Sequence, residues 1–198
     1  MPTFKPLYFV ILLNVMNILI VLITGFMMPI WGDFVAHLGG NIRTAGNAIG
    51  IFSLIIGALT FITGKIESHV KRDIDFVIIT QGIMTLCIAG YLIIDHIWQL
   101  YTLQALLGIA GAFQVPALYA LYHRYMPQEG TTLYWGIWNG FYNLAIGFGA
   151  WLSAYLVHHF GFNVMFTTLT ALSTLCFIVS IYFKRQPAEN KIRSKALL

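Results

Sequence analysis

Six stretches of mainly apolar residues follow one another along the chain, at roughly 7–31, 44–64, 76–94, 97–121, 132–157 and 161–183. A helix needs ~20 such residues to cross the hydrocarbon of a bilayer, and each stretch comes close to or exceeds that length. The turns between them are short, so almost nothing is left over to build a domain outside the membrane. The pattern predicts an all-α membrane protein: a six-transmembrane-helix bundle over residues 1–184, followed by a basic cytoplasmic tail at 185–198. The first run is much longer than the ~7–15 apolar residues of a signal-peptide core and shows no small-residue cleavage site, so it reads as a retained helix.

Composition agrees. Apolar residues make up 59% of the sequence and charged ones 9%, with a mean hydropathy of +0.79, which excludes a water-soluble domain. Alternating crossings assign every cation to one of two faces. Lys5, Lys65, Lys71, Arg72, Arg124, Lys184, Arg185, Lys191, Arg193 and Lys195 fall on the face of the termini, and Arg43 alone on the other, ten against one of the eleven. The positive-inside bias then puts both termini in the cytoplasm, as expected for a protein of the cell (inner) membrane. The basic balance suits anionic lipid headgroups and lacks the clustering of a nucleic-acid footprint. Cys87 and Cys176 fall mid-helix and read as packing residues.

Polar groups inside hydrocarbon should face protein or a water-filled cavity. In the first helix Asn14, Asn17 and Thr24 share a face with Val21 and Met28. The fourth carries Gln104, Gly108, Gly111, Gln114 and a mid-helix Pro116, which predicts a bent, closely packed helix. In the fifth, Trp135, Trp138, Asn139, Tyr142, Asn143 and Ile146 gather on one broad face beside a stripe of small residues, Gly136, Gly140, Gly147 and Ala154, suited to close helix approach. Amides among flat rings suit a neutral polar ligand such as a sugar or nucleoside. They would serve equally to bond one another across helices.

No Asp, Glu, Lys or Arg sits in the middle of any span, and proton or ion pathways usually carry one. Nucleophile elbows, zinc-protease helices and phosphate loops are absent from the sequence, so no enzyme, metal site or cofactor is expected. His158 and His159 read as ordinary loop histidines.

Between the second and third runs, Gly64-Lys65-Ile66-Glu67-Ser68-His69-Val70-Lys71-Arg72 resembles a worn copy of the major facilitator superfamily signature, Gly-x-Leu-Ala-Asp-Arg-x-Gly-Arg-Arg. Gly64 and Arg72 match; Ser68 stands for the Asp, with Glu67 one place early, His69 for the Arg and Lys71 for the second Gly. In the family's order follow Leu106-Leu107-Gly108-Ile109-Ala110-Gly111 with Pro116, then Met126-Pro127-Gln128-Glu129-Gly130, then Gly161-Phe162-Asn163-Val164-Met165-Phe166. The resemblance implies that helices one and four line a central cavity, with the aromatic and amide face of helix five close by. Asn14, Asn17, Gln104, Gln114, Trp138, Asn139, Tyr142 and Asn143 are the candidate substrate-binding residues, and Glu67, Lys71 and Arg72 the implied conformational switch. Gln104 stands where many proton-coupled members carry Arg, and Ser153-Ala154 where antiporters often show Gly-Pro, which weakens a proton-coupled export reading.

Members of this family ordinarily hold two parallel six-helix repeats, and this chain holds one. An even count returns both ends to the same side, so two copies in one membrane already have the orientation that two halves require. The expectation is a half-size transporter for a small neutral polar solute, working by alternating access as a homodimer among membrane lipids. The alternatives are one half of a heterodimeric or split transporter, and a non-transporting regulatory or scaffold protein of the same fold.

Overall fold

A computed structural model describes residues 5–70 and 72–186; Lys71 of the expected switch and most of the basic tail lie outside the described residues. Among the described residues the chain is entirely helical: α1 (Lys5–His37), α2 (Ile42–Val70), α3 (Asp73–Gly90), α4 (Ile97–Tyr125) and α5 (Thr131–Lys184). All five are long and apolar enough to cross a membrane. Five helices are counted where six runs were expected, because the last two predicted runs both lie within α5. The helices also overrun several predicted spans, because a helix continues past the hydrocarbon wherever its backbone stays bonded. Pro116 lies inside α4 without ending it.

At 54 residues α5 would measure about 80 Å if straight. It is broken at Gly161, where φ is 80° and ψ 178°. On one side of the break, Trp138 accepts a hydrogen bond from Asn17 and Ile146 lies against Gly25. On the other, Phe162 and Phe166 pack on Phe34, Cys176 lies against the Met16 carbonyl, and Phe183 stacks edge-on to Phe9. The two segments therefore run in opposite directions along α1, and the chain reverses at the glycine.

Two glycines set how closely α1 and α5 approach. A Cβ on Gly25 would stand 2.5 Å from the Ile146 carbonyl oxygen, and one on Gly149 2.7 Å from that of Leu22. Small residues permit such contact in lipid, where burial of apolar surface gives no drive to associate. Glycines 136, 140 and 147, expected to serve this role, meet nothing within 4 Å.

The core has two parts. At the end where α1 begins and α5 finishes, Phe9, Tyr122, Tyr125, Trp138 and Phe183 pack together; at the opposite end Phe26, Phe34, Tyr91, Met165 and Phe166 do. Cys87 and Cys176 are buried free thiols.

Candidate functional site

Against the second core cluster lies a cleft of about 550 Å³. α1 contributes Thr24, Met27, Met28 and Trp31 to it; α2, Phe52, Ser53 and Ile56; α3, Gln81, Met84 and Tyr91; α4, Gln104, Leu107, Gly111 and Gln114. The Trp31 indole N–H donates to the Ala45 carbonyl at 3.2 Å and ties α1 to α2 at the far end. Below that tie the two helices diverge, and exposed Met28, Ile49, Ser53 and Val115 edge the mouth.

Three amides reach this cleft from two helices. Gln114 donates through Nε2 to Gln81 Oε1 at 2.7 Å, and Gln81 Nε2 donates to Ser173 Oγ at 3.1 Å, which is in turn 2.7 Å from Thr85 Oγ1. The chain of bonds carries a buried polar path from α4 through α3 to α5, and it satisfies groups that would otherwise be stranded in apolar surroundings. Gln104 differs. It is 7% exposed, lines the cleft, and has no hydrogen-bond partner among the described residues.

The structure separates the eight predicted lining residues. Gln104 and Gln114 line the cleft. Asn14, Asn17 and Trp138 are in the core: Asn14 Nδ2 donates to the Val10 carbonyl, Asn17 Nδ2 to that of Trp138 at 3.3 Å, and the Trp138 ring lies 4.2 Å from that of Tyr122. Tyr142 is half-buried beside the second core cluster. Asn139 and Asn143 are exposed, each donating to the carbonyl one turn back, Trp135 and Asn139 respectively. Gln81 is a lining residue that sequence reasoning missed; its only signal there is that it is an amide inside an apolar run.

The expected switch also divides. At the end of α2, Glu67 is 4% exposed and its carboxylate oxygens have no hydrogen-bond partner among the described residues. Arg72 does not reach it; its Nε donates to Asp75 Oδ2 at 2.9 Å, and Lys184 Nζ holds Asp75 Oδ1 at 2.9 Å. Asp73, buried at the start of α3, is paired with Arg124 from the last turn of α4. Arg72, Asp75 and Lys184 join the start of α3 to the end of α5 at the end where α1 begins, where Lys65, Arg124 and Arg185 also lie, while Arg43 lies at the opposite end.

A sequence profile described as Major Facilitator Superfamily matches residues 8–197. The chain belongs to the Major Facilitator Superfamily. As a superfamily member it is an integral membrane protein, and its relatives are transporters. It is 26% identical over 182 residues to the multidrug resistance protein MdtG of Dickeya zeae (strain Ech586), a match that covers 87% of this chain and 43% of the relative. It is 30% identical over 158 residues to the gallate transporter of Pseudomonas putida, covering 77% of this chain and 34% of that protein. The chain thus spans less than half the length of the curated superfamily relatives it matches.

Proposed function

We propose that this chain is one half of a membrane transporter for a small uncharged solute, completed by a second copy of itself about a two-fold axis along the membrane normal. The two arms of α5 on either side of Gly161 are then separate crossings, six in all, with both termini in the cytoplasm. Ten of eleven cations on one face favour that orientation, and the two halves would rock against one another in alternating access around the cleft. Relatives at 26% and 30% identity named for multidrug resistance and gallate transport support transport as the activity.

One observation carries the second copy. Asn139 and Asn143 are exposed on α5, beside Gly136, Gly140 and Gly147, and on α2 the glycines 46, 50, 57 and 64 form a second stripe; an added Cβ at any of these glycines meets nothing within 4 Å. Exposed side-chain amides at membrane depth are not left to hydrocarbon, and small-residue stripes permit close helix contact. The close approaches inside the bundle are already made by other glycines, at Gly25, Gly149, Gly108 and Gly111.

Two substitutions separate assembly from folding. Gly140→Leu should leave the unfolding of the single bundle within about 0.5 kcal/mol, as for other surface changes, yet eliminate dimers in native mass spectrometry and reduce solute flux into liposomes. Gly149→Leu, driven into the Leu22 carbonyl, should destabilise the bundle itself. A flux that stays linear in protein down to one chain per vesicle would overturn the two-copy reading.

A further inference from the structure

We infer that the cleft between α1, α2, α3 and α4 is a binding site for an uncharged, largely apolar ring compound that carries one hydrogen-bonding group, received by Gln104. The inference rests on the transporter reading above and gives its substrate a chemical class.

The lining decides the charge. Among the described residues no Asp, Glu, Lys, Arg or His lines the cleft, so an ion entering it would give up its hydration with no counter-charge to replace it. The same walls decide polarity: a sugar or nucleoside presents many hydroxyls, whereas the amide and ring face of α5 that would suit them lies outside the cleft, with Trp138 and Asn17 committed to the core. Met27, Met28 and Met84 supply soft, adaptable walls that favour contact with rings, and Phe52, Trp31 and Tyr91 add flat faces.

Gln104 supplies the polar anchor. Its amide faces the cleft without a hydrogen-bond partner among the described residues and is not one of the sealed polar groups, so it is open to bond whatever occupies the cleft. Gln114 and Gln81 are largely committed to each other and to Ser173, so Gln104 is the group free to bond in both directions.

The test uses the full chain in lipid nanodiscs, and equilibrium dialysis against three probes: 2-acetylnaphthalene, an uncharged ketone; the 2-naphthoate anion; and the 2-naphthyltrimethylammonium cation, all corrected for empty nanodiscs. The ketone should saturate at one per chain, with both ions at least about tenfold weaker. Gln104→Leu should weaken the ketone about three- to tenfold, the worth of one neutral hydrogen bond, and Met28→Trp, at an exposed mouth position where folding is unaffected, should block it. Ions that bind as well as the ketone, absence of saturable binding, or either variant binding like the unaltered chain overturns the inference. Saturable binding without flux at any protein density would uphold the cleft and defeat the transport reading; flux without saturable binding would do the reverse.

Discussion

Asp73 is buried at the first turn of α3, and the guanidinium that neutralises it arrives from Arg124, 51 residues away and a third exposed. A buried carboxylate deprived of its partner costs several kcal/mol in an enclosed site, while replacing both members of a pair can be nearly neutral. Arg124→Leu should therefore destabilise the protein by roughly 2–3 kcal/mol, toward the lower end because Arg124 is partly solvated. The double variant Asp73→Asn/Arg124→Leu should recover much of that loss, as a double-mutant cycle of unfolding in detergent would measure. The pair was not legible in the sequence. Helical alternation places both residues on the same face of the membrane, but nothing in their spacing says that α3 begins where α4 ends, side by side. Gln104 and Gln114 were legible as inward-facing amides because polarity inside hydrocarbon is itself a signal. Gln81 carries the same signal, but its partner Ser173 lies 92 positions on.

At the scale of elements, the apolar runs located every helix, since composition alone distinguishes 20-residue spans from their polar turns. What they could not show is continuity across Gly161. The two arms meet there without an intervening loop, so helix follows helix directly, and only the positive φ marks the reversal. That combination of φ and ψ is open essentially to glycine alone. Gly161→Ala should cost about 1–3 kcal/mol in denaturant unfolding, wholly through the backbone, because nothing lies within 4 Å of the added methyl. Gly32→Ala, equally unobstructed but inside α1, should instead stabilise by about 0.5–1 kcal/mol. Periodicity also grouped Trp135, Trp138, Asn139, Tyr142 and Asn143 on one broad face of α5, and the surroundings divide that face. Trp138 and Asn139 are adjacent in sequence, yet one is sealed against Tyr122 and the other is exposed, because a helical repeat defines directions around an axis and leaves open what stands in each of them.

For the molecule as a whole, the small-residue stripes on α2 and α5 leave open surface on the single bundle. If a second copy covers them, association in the plane of the membrane is linked to folding by mass action. Apparent stability then becomes a property of crowding in two dimensions: the unfolding temperature in proteoliposomes should climb as the protein-to-lipid ratio is raised, and Gly140→Leu should flatten that slope. An unaltered protein whose unfolding temperature is constant across a wide range of dilution would show that the stripes are content with lipid. On the expected slope, a cell that makes few copies would hold a less durable protein than one that makes many, so abundance would set not only how much transporter is present but how long each chain survives.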